Sequence, residues 1–393
     1  MRTPGLVLLV MLAAMVEGQV CSITQITSSP SGDSMAPSFD GGAIAFRSAA
    51  NLIGTNPEGD DEIFFWNGSI IRQITSSTSP LRDSRSPSLA GGAIAFSSTA
   101  DLTGANPGGG SNIFLYNDST ITQITNGAQN FNPTLDANQI AFESADNLTG
   151  GNPDGGNEIF LFANSTITQV TNSATGGSFL PDIENGSIAF FSQADLTGGN
   201  ADLSVELFFF NGSSIMQITN SNVSFAFVNP PSLNGGSIAF ASPANYTGAN
   251  PDGNFEIFLW NGASLTQITN STGSINGFPS LDAGSIAFES TADYTGGNVD
   301  RSREIFLFDG VRIMQVTSGS SGSSRSPSLD NGRVAFQSSA NLNGANPEGN
   351  FEVYLADCTV VVAPIPVSTP VGLMLLALVV AAVGIVKLRF LTL

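Results

Sequence analysis

The sequence of 393 residues contains no histidine, two cysteines and a single lysine, Lys387. Without histidine, Ser-His-Asp and Cys-His catalysis are excluded, and so is the commonest zinc ligand. Twelve basic residues against 32 acidic ones give a formal net charge of −20. This charge argues against a nucleic-acid partner, whose phosphates require Lys and Arg. Nucleophile elbows and phosphate-binding loops are also missing. The sequence therefore predicts no catalytic residues and no enzymatic activity.

The few arginines are unevenly distributed, and the stretch between positions 86 and 300 contains neither Lys nor Arg. If the first and last parts of the chain meet in a closed ring, the arginines share one sector. Five of them fall in loops on one predicted rim: Arg82, Arg85, Arg301, Arg303 and Arg325. We expect this sector to dock an acidic protein or a polyanionic glycan. The alternative is random variation in surface composition.

Seven near-copies of one segment fill the chain from about Ser22 to Cys358. Each copy contains an Ile-Ala-Phe-like run, an acidic turn, a Glu-Ile-Phe-like run and a Gln-Ile-Thr-like run. The phenylalanines of the first run are Phe46, Phe96, Phe142, Phe190, Phe240, Phe288 and Phe336. Their spacing stays between 46 and 50 positions. A period of this size indicates a repeat architecture.

Each copy predicts four short strands, because turn residues bound its β-branched and aromatic runs. We expect the first strand to begin at the proline of a Pro-Ser-Leu-like segment. These prolines are Pro37, Pro87, Pro133, Pro181, Pro231, Pro279 and Pro327. Turns such as Gly41-Gly42 supply the positive φ that a tight hairpin needs. The phenylalanines are expected to form the core between sheets. Four-stranded sheets repeated around an axis form a β-propeller, here a seven-bladed one, with an open β-solenoid as the alternative.

The two ends of the repeat region predict ring closure. The region opens on a fourth-type strand at 22–27 and closes on a third-type strand at 352–357, with no fourth strand after it. The N-terminal strand is therefore expected to complete the last sheet, which leaves no unpaired edge. In the repeat register, Cys21 and Cys358 occupy neighbouring positions of one hairpin turn. We expect a Cys21–Cys358 disulfide there; the alternative is two unrelated thiols.

The repeat resembles that of TolB-like β-propellers. The residues that carry the resemblance include Ser-Ile-Ala-Phe-Glu-Ser at 285–290 and Asn-Pro-Asp-Gly-Asn-Phe-Glu-Ile-Phe-Leu at 250–259. The resemblance covers nearly all of residues 19–358 and implies the propeller fold. The helical N-terminal domain of TolB has no counterpart here, so the resemblance does not imply TolB's own role.

Both termini predict export and membrane anchoring. Residues 1–18 resemble a secretory signal peptide, with Arg2 before an apolar run. A lipoprotein with an acylated Cys21 is the alternative. Residues 359–369 form a Pro-rich linker, 370–388 an apolar transmembrane helix, and 389–393 a cytoplasmic tail. The segment 364–388 resembles exosortase-type sorting tails, which implies processing by a sortase-like protease. A plain C-terminal anchor is the alternative.

The acidic turn of each copy is the candidate metal site. Oxygen-bearing side chains alternate there around a glycine, which is the ligand type that calcium requires. The predicted ligands are Asn56, Glu58, Asp60 and Glu62 in the first copy, Asn250, Asp252, Asn254 and Glu256 in the fifth, and Asn346, Glu348, Asn350 and Glu352 in the seventh. The alternative is structural: Asn and Asp cap the turn, and Glu accepts backbone N–H bonds.

These patterns together predict an exported, membrane-tethered propeller that acts as a non-enzymatic binding module in the cell envelope. Its partner would be a protein or a glycan. A carbohydrate-active enzyme that uses loop carboxylates is the first alternative, since glycosidases work with paired carboxylates. A purely structural surface protein is the second. An enzyme should show one asymmetric carboxylate cluster at the central channel, because a catalytic group appears once and breaks the repeat symmetry.

Overall fold

The computed structural model describes residues 21–77, 79, 82–223 and 229–358. In this range the chain forms seven antiparallel sheets of four strands each, arranged as the blades of a propeller. Among the described residues no helix is long and apolar enough to cross a membrane. The predicted signal peptide, linker, membrane helix and tail lie outside these residues.

The strands recur in the same order in every blade. The inner strands of blades 1 to 7 are Ser34–Asp40, Ser84–Ala90, Asn130–Asp136, Ser178–Glu184, Ser232–Asn234, Asn276–Asp282 and Ser324–Asp330. The second strands are Ala43–Ser48, Ala93–Ser98, Gln139–Ser144, Ser187–Ser192, Ser237–Ser242, Ser285–Ser290 and Arg333–Ser338. The third strands are Glu62–Trp66, Asn112–Asn117, Glu158–Ala163, Glu206–Phe210, Glu256–Trp260, Glu304–Phe308 and Glu352–Asp357. The outer strands of blades 1 to 6 are Ile71–Gln73, Thr120–Gln123, Thr166–Gln169, Ile215–Gln217, Leu265–Gln267 and Ile313–Gln315, and Ser22–Gln25 completes blade 7.

Ring closure is confirmed. The first strand, Ser22–Gln25, pairs antiparallel with Glu352–Asp357, with Gln25 opposite Tyr354. A disulfide joins Cys21 to Cys358 across 337 positions of sequence, in the place where the other blades have a continuous hairpin. No edge of the last blade is therefore left to fray, since its outer strand is donated by the start of the propeller.

In six blades the inner strand begins earlier than predicted, whereas in blade 5 it begins at Ser232, one residue after Pro231. In blade 1 the strand starts at Ser34, three residues before Pro37, and its pairing register shifts between Met35 and Ser38. A proline has no N–H to donate to a sheet, and a β-bulge is where a strand tolerates it. The prediction placed the strand start at the proline because it did not consider a bulge.

The predicted aromatic core is confirmed. In every blade a second-strand ring stacks on a third-strand ring, as Phe46 does on Phe64 with 5.8 Å between centroids. Both rings are fully buried, and they pack against Ala335 and Val353 of the preceding blade. Burial of one such side chain contributes about 2–3 kcal/mol. The rings therefore hold adjacent blades together.

Two faces of the propeller follow from this topology. The hairpin face carries the turns between inner and second strands, such as Gly41-Gly42, where both residues have positive φ. The loop face carries the connections from second to third strands, which include residues 49–61 in blade 1, and those from outer strands to the next inner strand. The acidic turns and the five arginines named above belong to the loop face.

Candidate functional site

An axial cavity of about 400 Å³ lies between the seven inner strands. Each inner strand lines it with three consecutive residues around its proline, as blade 1 does with Ala36, Pro37 and Ser38. The lining is mostly proline, serine and other small residues. Leu180 and Phe278 add apolar side chains on one side only. The channel is therefore a concave site that departs from sevenfold symmetry.

The cavity lining is held in a strained backbone conformation. In six blades the residue before the proline has a positive φ between 47° and 53°: Ala36, Ser86, Asn132, Leu180, Phe278 and Ser326. A non-glycine residue in this region costs about 1–3 kcal/mol, and the surrounding structure must hold it there. Blade 5 has Pro230 at this position, where a positive φ is excluded.

Side chains of the preceding blade brace four of these bulges, including that of Phe278, whose N–H donates to Asn229 Oδ1 at 3.2 Å. The backbone N–H of Leu180 donates to Glu143 Oε2 at 2.7 Å, and that of Ala36 donates to Gln337 Oε1 at 2.7 Å. The N–H of Ser326 donates to Glu289 Oε2 at 3.0 Å. These contacts cross from one blade to the next. The channel mouth is therefore fixed by groups from neighbouring sheets.

Below the bulges, a belt of hydrogen bonds links neighbouring inner strands around the channel. The hydroxyl of Ser38 accepts the Leu89 N–H at 2.9 Å, and the hydroxyl of Ser232 accepts that of Leu281 at the same distance. Five blades use a serine at this position: Ser38, Ser88, Ser232, Ser280 and Ser328. Blade 3 has Thr134 there, whose buried hydroxyl oxygen has no partner.

Blade 4 continues the belt with a carboxylic acid, Asp182, in place of a hydroxyl group. Its Oδ2 accepts the Leu233 N–H at 2.7 Å, and its Oδ1 accepts the N–H of Ile183 at 3.1 Å. Desolvation in the channel wall, with smaller contributions from the charges of Glu184 and Asp136, raises the pKa of Asp182 to about 7. The two N–H donors only partly oppose this shift. Asp182 is half-buried and the only ionisable residue among the described residues that line the cavity.

The sequence prediction missed Asp182. It named no carboxyl group in the channel, and the structure places one there that breaks the repeat symmetry. The signal was present in the aligned copies, where a single Asp stands among five serines and one threonine. It was overlooked because the search for chemistry concentrated on the loops. A carboxyl group that titrates near neutral pH in a concave site is suited to acid–base work or to binding a cation.

A second set of acidic groups surrounds the hairpin end of the channel. These are the last inner-strand residues of five blades: Asp40, Asp136, Glu184, Asp282 and Asp330. Several of them accept a backbone N–H from the next blade's turn, as Asp40 does from Gly91 at 2.8 Å. Burial raises the pKa of Asp330, and the charges of Asp40 and Asp282 make smaller contributions to this shift. The channel therefore has a negative potential at this end.

The predicted metal ligands lie close together, but they are largely engaged in loop structure. In blade 5, Asn250 Nδ2 donates to the Asn254 carbonyl at 2.9 Å. Glu256 accepts the N–H of Ser271 at 2.7 Å and the hydroxyl of Thr269. These bonds are those of the structural alternative, but the buried oxygens Asn250 Oδ1 and Asn254 Oδ1 have no hydrogen-bond partner, and metal binding by this set stays a prediction. Glu58, Asp252 and Glu348 are exposed, and Asp252 accepts the N–H of Gly273 at 3.2 Å. Within the part of the chain that the structure describes, no group of three or more His, Cys, Asp or Glu residues is arranged to hold a metal ion.

The five arginines lie on the loop face in blades 2, 6 and 7, and most make contacts within the propeller. Arg303 pairs with the buried Glu289, and Arg85 contacts Asp83 at 2.6 Å. Arg82 donates to the Thr99 carbonyl at 2.7 Å. The guanidinium of Arg325 lies 5.6 Å from the centre of the Phe351 ring. Arg301 is exposed. Docking of an acidic partner to this sector stays a prediction.

Comparison with known proteins supports the propeller fold. No family model matches this sequence, and no curated protein matches it. Among solved structures, the propeller domain of the Trilobed protease from Pyrococcus furiosus aligns with a TM-score of 0.56 and 11% identity, covering 84% of this chain and 96% of that one. An acylaminoacyl peptidase in complex with Z-Gly-Gly-Phe-chloromethyl ketone aligns with the same TM-score and identity, covering 83% of this chain. The acylaminoacyl peptidase of Pyrococcus horikoshii has a TM-score of 0.54 and 10% identity, covering 80% of this chain.

These neighbours contradict our predictions of a non-enzymatic binding module and of no enzymatic role. All three are peptidases or the propeller of one, so those two predictions are wrong and we withdraw them. The match covers 51% of each acylaminoacyl peptidase, so this chain spans about half their length. At this identity the likeness shows the fold. The activity of this chain is therefore a matter of proposal.

Proposed function

We propose that this chain is an enzyme-associated propeller, and that its axial channel receives peptide substrates for a peptide-hydrolysing enzyme. Support comes from the three peptidase neighbours and from the channel itself, which is concave, largely pre-formed and asymmetric. The sequence contains no histidine. A hydrolytic Ser-His-Asp triad would therefore be supplied from outside this sequence, and the propeller's part would be to select and position the substrate.

The observation that carries the proposal is Asp182 in the channel wall. A lone carboxyl group there, with no basic residue among the described lining residues, favours a cationic group in the channel. The carboxylates around the hairpin end add to the negative potential. On the loop side, Leu180 and Phe278 present apolar surface to the same cavity. A peptide with a free amino terminus and an apolar side chain matches both features.

Calorimetric titration with a short peptide tests this assignment. The probe is Leu-Gly-Gly with a free amino group, and its N-acetylated form is the chemical control. We expect the free peptide to bind and the acetylated one to bind at least about tenfold more weakly, because a charge-assisted contact of about 1.5–3 kcal/mol is lost. Asp182→Ser, which copies the residue of blades 1, 2, 5, 6 and 7, should remove the difference.

A second variant separates channel binding from surface binding. Ser86→Phe places in blade 2 the residue that Phe278 provides in blade 6, at nearly the same backbone φ. The substitution should narrow the cavity without straining the fold. Ser264→Phe on the exposed hairpin face is the matched control. If the peptide does not bind, or if binding is the same in both phenylalanine variants, the channel proposal is refuted.

We also propose that the protein works outside the cytoplasm. The Cys21–Cys358 disulfide supports this, since such bonds persist in oxidising compartments. The TolB-like repeat resemblance, the signal peptide and the C-terminal anchor with its sorting tail remain part of the proposal, because they rest on sequence alone. Cell fractionation, with thiol alkylation before and after reduction, tests it. A reduced Cys pair in a cytoplasmic fraction would contradict it.

A further inference from the structure

The connection between second and third strands in blade 1 differs from the other six at one position. Asp60 stands two residues before the buried Glu62 that begins the third strand. The equivalent residues in blades 2 to 7 are neutral: Gly110, Gly156, Ser204, Asn254, Ser302 and Asn350. Blade 1 alone therefore places two carboxyl groups at this point of the loop face.

In the later blades this position donates a hydrogen bond to the glutamate. Asn254 Nδ2 donates to Glu256 Oε1 at 2.8 Å, and Ser204 Oγ donates to Glu206 Oε1 at 2.9 Å. Ser302 and Asn350 do the same in blades 6 and 7. The donor offsets part of the cost of burying the glutamate charge. An ionised aspartate has no hydrogen to donate, so Asp60 cannot fill this role.

Asp60 is itself buried without compensation. Its side chain is 4% exposed, and neither carboxylate oxygen has a hydrogen-bond partner. It lies within hydrogen-bonding reach of the fully buried Glu62, which also accepts bonds from Thr75 and Ser77. The nearby arginines, Arg47 and Arg85, pair with Asp61 instead. Two buried carboxyl groups therefore share one space with no positive charge between them.

The burial of this pair has an electrostatic consequence. Asp60 and Glu62 are both withdrawn from water, and the oxygens of Asp60 have no hydrogen-bond donor. A buried pair of this kind requires either a bound cation or a retained proton, since two adjacent charges cannot both ionise unopposed.

We propose that blade 1 binds one calcium ion between the side chains of Asp60 and Glu62, with Asn56 as a third oxygen donor. Asn56 is 2% exposed, and its Nδ2 donates to the carbonyl of Asp60 at 2.9 Å, which anchors the side chain beside the pair. Carboxylate and amide oxygens are the ligands of calcium, and its flexible coordination lets water complete the shell. The proposal is restricted to blade 1, because blades 5 and 7 already supply a donor at the position of Asp60.

The test compares the full-chain protein with two variants. Asp60→Asn copies the residue of blades 5 and 7, and Asp60→Ser copies the residue of blades 4 and 6. Melting is followed in a chelator and in about 1 mM calcium, a concentration that saturates sites of sensor affinity. We expect calcium to raise the melting temperature of the wild type by at least about 2 °C. The melting temperatures of both variants should not change with calcium. In the chelator both variants should melt above the wild type, because the unopposed carboxyl pair is gone.

A reciprocal variant makes the test specific. Asn254→Asp recreates the two-carboxyl arrangement in blade 5, so calorimetry should count two calcium ions in place of one. The proposal is overturned if calcium does not change wild-type melting, or if Asp60→Asn responds as the wild type does. A different result would indicate a shared proton in place of the ion. In that case calcium would not change the melting temperature of the wild type, and Asp60→Asn would stabilise the protein at pH 8 but not at pH 5.

Discussion

Replacement of Asp182 by serine should stabilise the propeller at neutral and alkaline pH. The serine hydroxyl can accept the Leu233 N–H, as Ser232 accepts the N–H of Leu281 in the next blade. The substitution therefore keeps the interblade bond and removes the carboxyl group whose ionisation the channel wall opposes. The expected gain follows from the shift of its pKa from 3.8 to about 7.

The size and sign of the effect follow from proton linkage. Between pH 4 and 7 the native state holds a proton that the unfolded chain has released, so wild-type stability falls as pH rises. Three pKa units correspond to about 4 kcal/mol, which is an upper estimate because Asp182 keeps some contact with solvent. The penalty is nearly absent below the unfolded pKa and complete above pH 7. Asp182→Ser should therefore gain about 1–2 kcal/mol at pH 5 and up to about 4 kcal/mol at pH 8.

Urea unfolding at pH 5 and pH 8 measures both differences, with fluorescence as the readout. The comparison of variant and wild type at each pH cancels the other titrating groups. Ser232→Asp is the matched control, because it places a carboxyl group at the same belt position of blade 5 and should destabilise most at pH 8. A stabilisation by Asp182→Ser that is equal at both pH values would refute the assignment of a desolvated, titrating carboxyl group.

Two further predictions concern closure and the loop face. Replacement of Cys21 and Cys358 by serine should lower stability by on the order of 5 kcal/mol in the chain-entropy model, and hydrogen exchange should rise first in the strand after Cys21. Unchanged denaturation midpoints would contradict this. Arg303→Ser leaves the buried Glu289 without its ion-pair partner and should lower the free energy of unfolding by about 3–5 kcal/mol at pH 8. Replacement of the exposed Arg301 by serine should lower it by less than about 0.5 kcal/mol. Equal losses in thermal unfolding would show that the buried pair does not matter.

The fold was predictable because local sequence signals and ring closure agree. The repeated Phe of the second strand fixed the period, and turns such as Gly41-Gly42 marked the hairpins. The strand types at the two ends of the repeat region identified which strand completes the last blade, and the register of Cys21 against Cys358 supported it. Consistency of strand pattern, turn chemistry and closure is what specifies a single fold. The seven blades, the donated strand and the disulfide were accordingly predicted correctly.

The channel was less predictable, because its features depend on contacts between blades. Pro37 was taken as a strand start, since nothing in one copy shows that the preceding Ala36 adopts a positive φ. That conformation is held by Gln337 of the neighbouring blade, which lies 301 positions away in sequence. Asp182 was visible in the alignment, but its perturbed pKa arises from burial that only the assembled ring creates.

The two sites proposed here share one physical feature. Asp182 and Asp60 each place a carboxyl group at a position where the other blades have a neutral residue. At both positions desolvation raises the pKa of the carboxyl group, so we expect each ionised carboxylate to cost stability. Repeats that differ only by drift should place such costly residues on exposed surface, where charge is tolerated. Departures from local consistency inside a stable fold are expected at functional positions; Asp60 is buried and Asp182 is half-buried. Neutralising both at once should therefore yield a more stable propeller that has lost peptide and calcium binding together.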